Sequence, residues 1–171
     1  MLRSELDSDD YNSYYQPYID KVEDIELLDA LKRNRKSVAS FIKSIDINKL
    51  SFRYAEGKWS VKEIILHLID TERVFAYRAL CIARNDKTEL PGFDQDVFVS
   101  HGYADNRSIE DLLSEYETVR MATISLFTGF NHEVLAARGI ANNSSLSVRA
   151  TAFIIVGHEN HHLQIIKERY L

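Results

Sequence analysis

The sequence predicts an all-α protein, a four-helix bundle with a long crossover between its second and third helices. Three observations predict it. Apolar residues recur at three-and-four spacing in four stretches of about 20–25 residues each. Serine-led capping patterns, at Ser60, Ser108 and Ser147, head three of those stretches. A run of roughly 20 residues, 86–106, lacks that period and lies between the second and third, the length a crossover needs. The 171 residues are enough for one full core and are read as a single domain over 1–171.

In chain order, residues 1–12 read as a flexible N-terminal arm. Tyr14, Tyr15, Pro17 and Tyr18 follow without helical period, as an extended aromatic segment across the bundle. The first helix is expected from near Asp24, with Ile25, Leu28, Leu31, Val38, Phe41, Ile42 and Ile45 on its apolar stripe and Lys32, Arg33, Arg35 and Lys36 beside it as a solvated face. A connection containing Gly57 leads to the second helix, whose start is the best marked of all. Ser60 and Glu63 make a capping box, and Trp59 and Ile64 a hydrophobic staple. Ile64, Leu68, Thr71, Phe75 and Ala79 continue its buried face, with His67 on the shoulder. The stretch 86–106 is read as an irregular crossover, too apolar for disorder, with Asp94, Gln95, Asp96 and His101 able to line a pocket or cap turns. The third helix begins at Ser108 and ends at Gly129 and Asn131. Residues 131–146 read as a second loop, and Ser147 caps a fourth helix that runs to about Arg169. Short connections usually join antiparallel neighbours, so the first two helices are expected to be antiparallel and adjacent, and the crossover frees the fourth to lie against the second.

The chemistry concentrates in His158-Glu159-Asn160-His161-His162. On a helix, side chains four apart lie roughly 5–6 Å from one another at Cβ, so His158 and His162 can reach one metal ion. The letters match the H-E-x-x-H helix of zinc proteases. Those enzymes take a third ligand downstream, whereas the nine residues after His162 hold Glu168 and no histidine, so a third protein ligand is expected from upstream. Taken alone, His67 reads as a satisfied core histidine. With the fourth helix against the second, it becomes a third ligand. Three neutral imidazoles suit Zn²⁺, Ni²⁺, Fe²⁺ or Cu²⁺ and leave a coordination position open, the pattern of catalytic rather than structural sites. His161, rotated by 100°, is expected beside the cluster.

These residues carry a resemblance to a known family. Lys58-Trp59-Ser60-Val61-Lys62-Glu63-Ile64, His67-Leu68-Ile69-Asp70-Thr71-Glu72-Arg73, Leu90-Pro91-Gly92-Phe93-Asp94-Gln95-Asp96, Ser147-Val148-Arg149-Ala150 and Gly157-His158-Glu159-Asn160-His161-His162 resemble the DinB/YfiT-like family of metal-dependent bundles, from about residue 20 onward. The resemblance implies an up-down-down-up bundle, metal ligation by His67, His158 and His162, and a homodimer. Relatives of that kind include thiol transferases that use bacillithiol or mycothiol, and an isomerase.

The expected function is therefore a metal-dependent enzyme carrying Zn or Ni at the three histidines. Transfer of a low-molecular-weight thiol cosubstrate to a small electrophile is the first reading and hydrolysis the second. Glu159 is a candidate general base by analogy with the protease helix, and Arg78, Asp94 and Arg149 are candidates for holding substrate. The alternative is a non-catalytic binding module, stabilised by its metal or sensing it. A third reading has no metal at all, only histidines hydrogen-bonded in a polar core. The formal net charge of −5 and the lack of a basic patch argue against nucleic acid as a partner. The N-terminus is polar and acidic, unlike a signal peptide, and no apolar run approaches the ~20 residues that span a membrane. A lone Cys81, read as a core residue, fits a reducing cytoplasm.

Overall fold

In the computed structural model, which describes residues 1–171, the chain runs α1 (Gln16–Ile19), α2 (Leu27–Ser44), α3 (Val61–Ala83), α4 (Gln95–Gly102), α5 (Ile109–Thr128), α6 (His132–Ala136), β1 (Arg138–Ala141), β2 (Ser144–Ser147) and α7 (Val148–Arg169). The four long helices α2, α3, α5 and α7 form the expected bundle. Each of α2 and α3 packs on both α5 and α7. The order around the bundle is thus α2, α5, α3, α7.

Directions follow from the contacts. Ser60 and Lys62, at the start of α3, donate to the Asp105 carboxylate and the Arg107 carbonyl just ahead of α5, so α3 and α5 are parallel. Tyr170, at the end of α7, donates its hydroxyl to the carbonyl of Trp59 at the start of α3, so these two are antiparallel. The C-terminal residues of α2 pack with Val61, Leu112 and Ile166. The topology is up-down-down-up. The first two long helices are antiparallel as expected, but they occupy opposite corners of the bundle, each packed chiefly on α5 and α7.

Capping chemistry set the helix starts. Ser60 accepts from Glu63 N–H at 3.1 Å, and Glu63 accepts from Ser60 N–H at 2.7 Å, completing the capping box of α3. Ser108 and Ser147 cap α5 and α7 as read. The first long helix begins at Leu27, not Asp24, because the Asp24 carboxylate accepts from the Ser4 N–H at 2.8 Å.

Four segments differ from the sequence reading. Residues 14–18 do not cross the bundle as an extended strand; Pro17 opens the short helix α1, which packs on α7. The crossover is not irregular throughout, since Asp94 accepts from Asp96 N–H and Val97 N–H and so starts α4. Residues 131–146 hold α6 and the β1–β2 hairpin, whose turn residues Asn142 and Asn143 have φ of 51° and 58°, the left-handed pair a two-residue hairpin turn requires. The segment 1–12 is held at Asp10, which is fully buried between Arg138 and Arg149.

The apolar interior is two clusters. One gathers Val38, Ile42, Ile65, Leu112 and Ile166, and the other Leu31, Phe75, Ala79, Phe127 and Phe153. Between them lies a layer of buried polar side chains, described below. Gly157, beside that layer, lets α1 approach: a Cβ built there would lie 2.0 Å from the Tyr18 carbonyl oxygen. Alanine inside a helix is ordinarily favoured over glycine by about 1 kcal/mol. Gly157→Ala is expected to do the opposite, lowering unfolding free energy by about 1–3 kcal/mol in urea melts as α1 is pushed away. A variant more stable than wild type would contradict this packing.

Candidate metal centre

The polar layer draws one group from each long helix. Arg120 on α5, with no exposed surface, donates Nε–H to Glu72 Oε1 at 2.8 Å and an Nη2 N–H to Glu72 Oε2 at 2.9 Å, a bidentate pair. The same Nη2 lies 2.7 Å from Glu159 Oε1 on α7. Asn34 on α2 donates to Glu159 Oε2 at 2.9 Å, and Arg120 Nη1 donates to the Leu31 carbonyl at 3.3 Å. Burial raises the Glu159 carboxyl and the nearby Glu72 adds to that, against the pull of Arg120. Burial alone would weaken the Arg120 charge, but the two carboxylates hold it well above its usual range.

This network fixes which way α7 faces. Successive helical residues are rotated by 100°. With Glu159 turned to Arg120, His158 and His162 turn toward α3. There they meet His67, near the start of that helix. His67 Nε2 and His162 Nε2 each lie 3.1 Å from His158 Nε2, and the potential ligand nitrogens of all three rings fall within 4.8 Å of one another.

A ring nitrogen carries either one hydrogen or one in-plane lone pair. His158 Nε2 can therefore hydrogen-bond along one of its two 3.1 Å approaches, not both. A shared cation satisfies both. Zinc, with Zn–N of about 2.0–2.1 Å, would set tetrahedral ligand nitrogens about 3.3–3.4 Å apart, close to the two separations of 3.1 Å made by His158 Nε2. The donor set thus fits a divalent ion. The rings are also neutral, as ligation requires. Burial pushes His67 down to about 4. Burial, and then the neighbouring imidazoles His67 and His161, push His162 down to about 3. His158 is held well below its ordinary value, by burial first and His162 next.

The rings are braced on their outer sides. Thr71 Oγ1 lies 3.4 Å from His67 Nδ1, one turn along α3. The Trp59 ring packs on His67 at 4.8 Å between centroids and stacks on His162 at 6.4 Å. Tyr18, admitted by Gly157, sets its ring edge-on to His158 at 5.4 Å.

His67 and His158 form part of the wall of a cavity of about 450 Å³. Its other walls include Tyr14, Tyr15 and Tyr18 before α2, Thr71, Phe75 and Arg78 on α3, Phe93 from the crossover and Asn142 from the hairpin turn. The crossover is pinned to the hairpin, with Leu90 N–H donating to the Ile140 carbonyl at 3.0 Å and Asn142 N–H to the Leu90 carbonyl at 2.9 Å. No carboxylate is among the residues lining the cavity.

The candidates read from sequence therefore separate. His67, His158 and His162 converge. Arg78 lines the same cavity. Glu159 does not join them, because it is buried against Arg120 and Asn34. Asp94 is exposed and engaged in capping α4, near the cavity mouth rather than inside it. Arg149 is turned to Asp7 and Asp10 at the far end of α7 and does not line the cavity. His161 lies against Tyr18 outside the cluster, with ring centroids 5.2 Å apart. The tyrosines and Asn142 were missed as wall residues. The Asn-Asn turn was a readable hairpin signal, but nothing local to the sequence says that either segment folds over the histidines.

A family model described as the DinB superfamily matches residues 30–166. A protein of Oceanobacillus iheyensis named "Putative metal-dependent hydrolase" is 26% identical over 149 residues, 85% of each chain. Among solved structures, YfiT of Bacillus subtilis, described as a probable metal-dependent hydrolase with an unusual four-helix bundle topology, superposes with a TM-score of 0.72 at 14% identity over 83% of this chain and 82% of its own. The DinB-like YjoA of the same organism gives 0.59 at 17% identity, over 84% and 89%. A mycothiol-dependent maleylpyruvate isomerase gives 0.63 at 9% identity, over 85% of this chain and 61% of its own. At these identities the structural likenesses speak for the fold.

The neutral rings make a pH prediction for the metal-free protein. Unfolded histidines take up protons near pH 6.5, while the buried ones resist until about 4 or below. The unfolded state therefore binds more protons in that window, and stability falls as pH falls. Urea melts between pH 6.5 and about 5, above the range of most carboxylates, are expected to lose on the order of 1 kcal/mol per pH unit for each imidazole. His67→Gln is expected to make the loss shallower. A wild-type profile flat over that window would contradict the buried, neutral triad.

Proposed function

The chain belongs to the DinB superfamily, and from that membership and its three converging imidazoles we propose a metal-dependent enzyme that transfers a thiol to a small electrophilic substrate. The observation that carries this reading is the placement of His67 and His158 at the wall of a cavity, with His162 completing the donor set. Three protein ligands leave room for an exogenous one, as catalytic sites do. Bound there, a divalent ion such as Zn²⁺ or Ni²⁺ would supply Lewis acidity and lower the pKa of a thiol or water in the cavity.

The chain's own residues do the rest. His67, His158 and His162 hold the ion as neutral donors. Thr71 orients the His67 ring through Nδ1, and Trp59 and Tyr18 cover the outer faces of the rings and keep bulk water from them. Aromatic side chains accept an apolar substrate, and Phe75 and Phe93 line its path.

The cavity favours a thiol over water as nucleophile. A thiol ionises near pH 8.5, within easy reach of neutrality, whereas water needs far more help. No carboxylate lines the cavity to act as general base, and Glu159 is committed to Arg120. Hydrolysis is the second reading, supported by the name of the Oceanobacillus relative. The reading also includes a homodimer and a cytoplasmic setting, the latter supported by the single, buried Cys81. No helix is long and apolar enough to cross a membrane.

Metal analysis of purified wild type, His67→Ala and His158→Ala tests the centre. Wild type should retain a single divalent ion per chain, and each variant should lose at least tenfold in affinity. Full stoichiometry in both variants would overturn the site. Thiol consumption with alkyl halide and epoxide substrates should then depend on the ion. Ester cleavage in place of thiol consumption would assign hydrolysis. Inertness to both, with a metal-linked stabilisation of about 2.7 kcal/mol at a hundredfold excess over Kd, would leave a non-catalytic module.

A further inference from the structure

The buried ionic side chains of this protein are Asp10, Glu72, Arg78, Arg120 and Glu159. Four of them are paired. Asp10 meets Arg138 and Arg149, while Glu72 and Glu159 share Arg120. Arg78 is the exception. It is 3% exposed and has no carboxylate within 4.0 Å. Its Nη2 donates to the Pro91 carbonyl at 2.7 Å, and the Tyr15 hydroxyl is its other polar neighbour. Its guanidinium carbon lies 5.0 Å from the centre of the Phe75 ring and 6.0 Å from that of Phe93, and the side chain lines the same cavity as His67 and His158.

An unpaired buried charge is costly unless something compensates it. A carbonyl, a neutral phenol and two ring faces offset only part of that cost, and none of them is a partner of opposite charge for the guanidinium. The surrounding cavity has no acid of its own. We infer that Arg78 is an anion-binding subsite, and that the ligand of the cavity carries a carboxylate or similar planar anion at the end opposite the histidines. This rests on the cavity being the substrate site proposed above.

The geometry sets the class further. Residues 67 and 78 stand on one helix, eleven residues apart, so their Cα atoms are separated by about 16 Å along the axis. Helical side chains lean toward the N-terminus, and the longer arginine leans further, which leaves on the order of 10–14 Å between guanidinium and imidazoles. Phe75 lies between them, and Tyr15 and Tyr18 line the same space. The ligand is therefore an elongated amphiphile, reactive at one end, apolar or aromatic in the middle and anionic at the other.

Two probe series separate this inference from the metal reading. Arylalkanoic acids and their methyl esters need no metal, and their binding to metal-free protein can be followed by calorimetry. Acids should bind at least tenfold more tightly than esters to wild type. Arg78→Gln should abolish the preference, and Arg78→Lys, which keeps the charge but not the fork, should retain part of it. Urea melts of the variants check that they fold. The ω-mercaptoalkanoic acids, bound to Zn²⁺-loaded protein, add a metal-seeking thiol at the far end. Their affinity should peak at an intermediate chain length, and that maximum should vanish in Arg78→Gln. Equal binding of acids and esters by wild type, or an acid preference that survives Arg78→Gln, would overturn the inference even if the protein binds metal. An acid preference that depends on Arg78 in a protein that binds no metal would sustain the subsite and overturn the metal reading instead.

Discussion

The ionic contact of Arg120 with Glu72 and Glu159 is the constraint on which the rest of the structure depends. It joins α5 to α3 and α7, and through Asn34 and the Leu31 carbonyl it reaches α2 as well. Apolar packing alone would leave α7 free to turn, because its buried residues surround the helix instead of marking one stripe: Ala150, Phe153, Ile154, Ile155 and Val156 are all buried. A buried arginine with two buried acids has few acceptable arrangements. Removing one partner of such a pair typically costs 3–5 kcal/mol, whereas a shift of helix rotation would break it altogether. The network thus acts as a register pin, and the facing of His158 and His162 toward His67 is its consequence.

Around that pinned core, the cavity is built from the segments that are not part of the bundle. The short helix α1 brings Tyr18 to the histidines across the bare backbone of Gly157. The hairpin holds the crossover through Leu90, and the crossover in turn offers the Pro91 carbonyl and the Phe93 ring to Arg78. The division is a physical one. Long helices hold ligands at fixed spacing, while loops and short elements, which can vary without unmaking the core, shape what enters.

How far this was legible in the sequence depends on the range of the interaction concerned. Ser60, Glu63, Ser108 and Ser147 announced their helices because capping acts over three residues. The spacing of His158 and His162 announced a shared ligand because one helical turn relates them. His67 required a guess about which helices meet, and the crossover length made that guess possible. What failed was longer in range. Glu159 stood as a candidate base because its partner, Arg120, is 39 positions away in a different helix, and Arg149 stood as a candidate for holding substrate because its partner, Asp10, lies in a segment with no periodic pattern. The adjacency of the first two long helices was inferred from a short connection, yet a diagonal link within the bundle serves as well. Arg78 stood on the right face, but only the pairing of every other buried charge sets it apart.

The proposed centre places three imidazoles on one divalent ion at the wall of the cavity. X-ray absorption at the metal edge of the loaded wild-type protein tests it most directly. The expected shell contains three imidazole nitrogens at about 2.0–2.1 Å, with the outer-shell scattering of their rings, plus a light-atom or thiol ligand that exchanges when a thiol is added. A shell with fewer than two imidazoles, or one made up of carboxylate oxygens, would contradict it.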